Sequence, residues 1–202
     1  GDPARFSGQW LEAREPADHA ARSRALTDAL ANWLTVEYNT KAAGKPAGDP
    51  LHLVDIGSGR GSNPGYLIPR LPVPQRWTLI EPDQHLLGLA CHRVGALDAP
   101  AAPMMRELTP HNLDELLPED ATLITASALI DLVSEHWLRA FSSAVVRRRA
   151  GVLVVISYSG HFELAPSHAS DALVQGLVNQ HQHGDKGSGA ALGPEATGVL
   201  KK

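Results

Sequence analysis

The chain has 202 residues, with 18 Lys plus Arg against 22 Asp plus Glu and a formal net charge of −4, so it suits one α/β domain and lacks the basic excess of a nucleic-acid binder. No apolar run reaches the roughly 18 to 20 residues that span a bilayer, and no charged start leads into an apolar stretch, so neither a membrane role nor secretion is expected. A single cysteine, Cys91, excludes an internal disulfide and points to a reducing cytoplasm.

In chain order, Leu26, Leu30, Trp33 and Leu34 recur at helical spacing and predict a helix within an N-terminal cover over residues 1–49. Residues 41–50, rich in Gly, Pro and Ala, read as the connection into a core spanning 50–202. The run Leu51-His52-Leu53-Val54-Asp55-Ile56 suits a strand buried on both faces of a parallel sheet, and it breaks into Gly57, Gly59 and Gly61. A short helix is expected at 64–71, limited by Pro69, then a strand ending Trp77-Thr78-Leu79-Ile80-Glu81 and a helix over 83–93 that buries Leu86, Leu87, Ala90 and Cys91. Residues 96–103 read as a loop. Strands are expected at 104–108, 121–126 and 151–158, with a helix at 135–148 whose Arg147-Arg148-Arg149 end is solvated and favoured by the helix dipole. Strands alternating with helices predict a mostly parallel, twisted, Rossmann-like sheet covered on both faces, within one domain.

The glycines point to a nucleotide-like ligand at the carboxyl end of the first strand, because glycine tolerates positive φ and lets a ligand approach the backbone. A dinucleotide loop is G-x-G-x-x-G, whereas position 62 is Ser and the spacing here is G-x-G-x-G. Neither Lys nor Thr follows in the manner of a phosphate-cradling P-loop. Glu81 lies about 20 residues on, at the end of the second strand, where a carboxylate can accept from both hydroxyls of a ribose.

The pattern Asp55-x-Gly57-x-Gly59-x-Gly61 resembles the first motif of class I S-adenosylmethionine-dependent methyltransferases. Segments 10–18, 74–77, 125–134 and 181–187 extend the likeness toward a bacterial subgroup of undefined substrate. The resemblance implies S-adenosylmethionine as cofactor, with Asp55, Gly57, Ser58, Gly59 and Gly61 at its amino-acid part and Glu81 and Pro82 at its ribose. It implies Glu107 and Leu108 beside the adenine, and Ser127, Ala128 and Leu129 beside the methyl group and the acceptor. The Asn/Asp-Pro-Pro-aromatic signature of nucleobase and glutamine methylation is missing, so a small-molecule O or N acceptor is expected. In that family the sheet ends in an antiparallel hairpin, for which the chain looks too short. Its absence would leave a sheet edge for another segment, or a second copy in a homodimer, to cover.

Methyl transfer needs alignment more than a catalytic constellation, since the sulfonium arrives activated. Candidate bases are Asp131, His136, Tyr158 and His161, each with a structural alternative; for Asp131 it is capping the following helix. Arg14, Asp18 and Arg22 form a candidate lid or carboxylate contact, or surface salt links. His181 and His183 lack a supporting ligand set, so no metal is expected. Residues 185–189 read as a flexible loop. Three alternatives stand beside this reading: an aminopropyl transferase, a nicotinamide oxidoreductase, and a non-catalytic S-adenosylmethionine-binding regulator or scaffold.

Overall fold

The computed structural model describes residues 24–127, 134–156 and 161–165, with only the backbone at 127, 155, 156 and 161–165. Helix α1 (Arg24–Ala42) leads into β1 (Leu51–Ile56), α2 (Ser62–Leu67) with a 3-10 turn at Ile68–Arg70, and β2 (Gln75–Ile80). Next come α3 (Gln84–Ala96), β3 (Ala101–Met104), α4 (Leu113–Leu116), β4 (Ala121–Ser127), α5 (Glu135–Arg148), β5 (Gly151–Ile156) and β6 (His161–Ala165). The six strands lie in the order β3-β2-β1-β4-β5-β6. All neighbours are parallel except β5 and β6, which pair antiparallel.

The expected Rossmann-like architecture is present, with three corrections. The third strand is Ala101–Met104, so it occupies part of the expected 96–103 loop and ends before Glu107 and Leu108. Pro103 sits within it because β3 is the edge strand, where a missing N–H costs least. One antiparallel strand follows the fifth: β6 pairs with β5 from Val152↔Ala165 to Ile156↔His161, whereas the whole antiparallel hairpin of two strands was expected to be missing. Finally, Arg148 does not lie in solvent. Its side chain is 0 % exposed and donates to the carbonyls of Pro118, Leu117 and Asp114. Only Arg147 and Arg149 keep the exposed character expected of the run.

Strand alternation divides the core in two. Leu51, Leu53, Trp77, Leu79, Leu123 and Leu153 face α1, α2 and α3, where Leu30, Leu34, Leu67, Leu87, Ala90 and Val94 meet them. Val54, Ile56, Ile80, Ile124, Val152 and Val154 face α4 and α5, against Leu113, Trp137, Leu138, Phe141 and Val145. Burial on both faces is why β1 is apolar throughout apart from His52 and Asp55. Helix α1 comes so close to the sheet that a Cβ at Gly151 would lie 2.5 Å from the Trp33 ring. In α3 the buried stripe ends on Val94 rather than Cys91, which is half-buried.

Candidate ligand site at the carboxyl ends of the strands

Register brings the motifs together. Ile56 is level with Ile80 on one side and Ala126 on the other, and Ile80 is level with Met104. Gly57, Glu81 and Met105, which follow β1, β2 and β3, and Ser127, which ends β4, therefore lie along one edge, the end at which open α/β sheets bind ligands.

The turn after β1 is left-handed at Gly57 (φ 63°), Gly59 (φ 53°) and Gly61 (φ 81°), a conformation that costs side-chain-bearing residues about 1 to 3 kcal/mol. The Gly61 amide bonds back to the Ser58 carbonyl at 2.8 Å, and the Ser58 amide crosses to the Ile80 carbonyl at 3.1 Å. The Gly59 amide donates to Glu81 Oε2 at 3.3 Å across a sequence separation of 22. Glu81 is 8 % exposed, and its own amide donates to the Met104 carbonyl at 3.1 Å. Two sequence motifs thus become one place.

Asp55 lies deeper, at 1 % exposure. Its Oδ1 accepts from Thr125 Oγ1 at 2.6 Å and from Asn63 Nδ2 at 3.3 Å, so the carboxylate joins β1, β4 and α2 beneath the glycine turn. Ser58 Oγ donates to the Asp55 carbonyl at 3.1 Å. Gly61 packs inward as well, since a Cβ there would lie 3.0 Å from Ala90 Cα. Asp55 and Gly61 therefore shape the loop from below, whereas Gly59 and Glu81 meet at its outer turn. Thr125 and Asn63 were missed in the sequence, where a Thr in an apolar strand and an Asn after a glycine turn carry no mark of their shared partner.

Past β3, Glu107 is exposed and Leu108 half-buried. Leu108 packs against the α4–α5 core, and its carbonyl accepts from Trp137 Nε1 at 2.8 Å. The Glu107 carbonyl accepts from Asn112 Nδ2 at 3.1 Å. The first bond ties the loop after β3 to the start of α5, and the second ties it to the residue that precedes α4. Pro82 is exposed beside Asp83, whose side chain caps α3 by accepting from the Leu86 amide at 3.0 Å.

Helix α5 is capped by Ser134, which accepts from the Trp137 amide at 3.1 Å, so the cap expected at Asp131 falls to Ser134. His136 is exposed in the first turn, and its ring meets His111 edge-on with centroids 5.8 Å apart. Backbone alone is described for Ser127 and His161, while Arg14, Asp18, Arg22, Ala128, Leu129, Asp131, Tyr158, His181 and His183 lie outside the described residues. Among the described residues no group of three His, Cys, Asp or Glu side chains could hold a metal, and no helix is long and apolar enough to cross a membrane.

No protein-family model and no curated protein sequence matches the chain. Among solved structures it is similar to a SAM-dependent methyltransferase from Aquifex aeolicus, with 12% identity, TM-score 0.46, and 74% of this chain and 72% of that one covered. It is also similar to a precorrin-6y C5,15-methyltransferase from Geobacter metallireducens, at 19% identity and TM-score 0.38 over 57% of this chain and 59% of that one. A third is the pyocyanin biosynthetic protein PhzM, at 15% identity and TM-score 0.37 over 56% of this chain. The chain spans 34% of that last protein's length.

Proposed function

We propose that the chain is a class I S-adenosylmethionine-dependent methyltransferase that methylates a small-molecule oxygen or nitrogen acceptor. The observation that carries this reading is the meeting of Glu81 with the Gly59 amide at the carboxyl edge of the sheet. A carboxylate already lies against that amide, so a pyrophosphate would meet like charge there, whereas ribose hydroxyls and an α-ammonium find an acceptor. The G-x-G-x-G spacing agrees with the methyl-donor class rather than the dinucleotide class.

In this reading the sulfonium supplies an activated methyl group, and the protein's task is to hold donor and acceptor in line and exclude water. Glu81 holds the ribose, Gly57 and Gly59 leave the backbone open to the amino-acid part, and Asp55 positions the loop through Thr125 and Asn63. In this reading Ser127, Ala128 and Leu129 line the methyl group and the acceptor. His136, exposed at the head of α5, is the candidate base if the acceptor must lose a proton.

Titration calorimetry with S-adenosylmethionine, S-adenosylhomocysteine and NAD tests the reading. Saturable binding of both sulfur ligands is expected, and binding of NAD alone would overturn it. A screen of metabolites for conversion of cofactor to S-adenosylhomocysteine then separates a transferase from a non-catalytic binder.

A further inference from the structure

The other end of the sheet holds a cavity of about 320 Å3 at the amino edges of β1, β2 and β4. Its walls include Lys41 at the end of α1, Lys45 in the following turn, Arg76 on β2, and His52 and Thr122 at the starts of β1 and β4. Most of the charges here are already matched. His52 is 8 % exposed and bridges Asp120 and Thr78, with Nδ1 2.6 Å from Asp120 Oδ1 and Nε2 2.7 Å from Thr78 Oγ1. Arg76 pairs with the same Asp120, and Glu119 pairs with Arg147 and Arg148.

The two lysines differ. Lys41 Nζ reaches in to donate to Thr122 Oγ1 at 2.6 Å, a neutral partner on a residue that is 2 % exposed. Among the described residues, neither Lys41 nor Lys45 has a carboxylate within ion-pair distance. Asp49, the remaining carboxylate of the lining, makes no side-chain ion pair with either. The cavity therefore brings together two ammonium groups that make no ion pair among the described residues, a hydroxyl, and a guanidinium with donors beyond those given to Asp120.

We propose that this cavity is a second ligand site, separate from the cofactor edge, that binds a small anion bearing a phosphate or carboxylate group between Lys41 and Lys45. The volume falls within the range of small-molecule sites. Burial pulls the Lys41 ammonium below the ordinary lysine range, with Glu37, Lys45 and Asp120 making smaller contributions of both signs. An anion beside it opposes that effect by adding negative charge closer than Glu37 or Asp120 provides. It also ties the end of α1 to β4, one of the strands whose far ends carry the candidate cofactor site.

The test uses the whole chain and three probes at constant ionic strength: inorganic phosphate, glycerol phosphate and succinate. Calorimetry and thermal unfolding are followed in the native protein and in variants carrying Lys41→Gln, Lys45→Gln or both. At least one probe is expected to bind saturably and raise Tm beyond chloride, with affinity falling tenfold or more in the double variant and S-adenosylmethionine affinity unchanged. A preference for glycerol phosphate over phosphate assigns an ester ligand, and a response to succinate alone assigns a carboxylate; both support the site. If none of the probes exceeds chloride, or if the variants respond as the native protein does, the proposal fails. Lys45→Gln changes an exposed turn residue, so it reports on the site even if changes at Lys41 disturb folding. Because the readout is anion binding, it stands whether or not the protein binds S-adenosylmethionine.

Discussion

Glu81 Oε2 accepts a hydrogen bond from the Gly59 amide at 3.3 Å, so the carboxylate that ends β2 rests on the turn that ends β1. The parallel pairing of Ile56 with Ile80 brings the two ends side by side, and the left-handed turn at Gly57 and Gly59 completes the approach. Replacing Glu81 by Ala should raise the dissociation constant for S-adenosylmethionine by roughly 10- to 150-fold, the loss of charge-assisted bonds worth about 1.5 to 3 kcal/mol. Calorimetry on the variant checks this, and an unchanged constant would move the ribose elsewhere.

In the proposed site Gly59 faces the ligand, whereas Gly61 packs against Ala90. Gly59→Val places a branched residue at φ 53° on the outer turn, and it should abolish cofactor binding. Gly61→Ala combines φ +81° with a Cβ 3.0 Å from Ala90 Cα, so it should lower unfolding free energy by about 1 to 3 kcal/mol. Urea unfolding beside calorimetry resolves the two; equal stability of Gly61→Ala and the native protein would contradict this division.

The buried Asp55 carboxylate accepts from Thr125 and Asn63. Thr125→Val removes the shorter of the two from a carboxylate that is 1 % exposed. The expected cost is about 1 to 3 kcal/mol, the penalty for an under-satisfied buried acceptor. Chemical denaturation measures it, and a loss below about 0.5 kcal/mol would show that Asp55 does not depend on this partner.

Acid sensitivity should trace to the ion-pair cluster at the end of α5. Hydrogen bonds from Arg148 and then Arg147 hold the Asp114 carboxyl below its ordinary range, and Arg147 does the same for Glu119. A carboxylate whose pKa is depressed by folding stabilises above its unfolded pKa, and that contribution is lost as pH falls through the folded value. Stability should therefore decline below about pH 4, and the decline should be shallower in Asp114→Asn. Thermal unfolding from pH 7 to pH 2.5 follows this, and parallel curves for the two proteins would exclude the cluster as its source. Both carboxylates are exposed, so added salt should shrink the difference.

The sheet was legible because its signals are local. A strand buried on both faces must be apolar along its length, and that marked β1, β4 and β5. Glycine at positions that demand positive φ marked the turn after β1. Edge strands escape because they carry weaker patterns: β3 reads Ala-Ala-Pro-Met and is largely uncovered, while the five residues of β6 carry no pattern that assigns them an element. Arg148 was misread because a triple-arginine run at a helix end looks solvated until the loop before β4 folds over it and offers carbonyls.

By itself, the sequence determined that the chain forms a parallel α/β sheet with a glycine turn and a carboxylate one strand apart, since apolar periodicity and backbone conformational preference act over a few residues. Only tertiary structure decided that Glu81 reaches Gly59, that Asp55 accepts from Thr125 and Asn63, and that Lys41 and Lys45 share a cavity at the opposite edge. Those facts depend on strand register and helix docking, which bring together residues that carry no mark of one another along the chain.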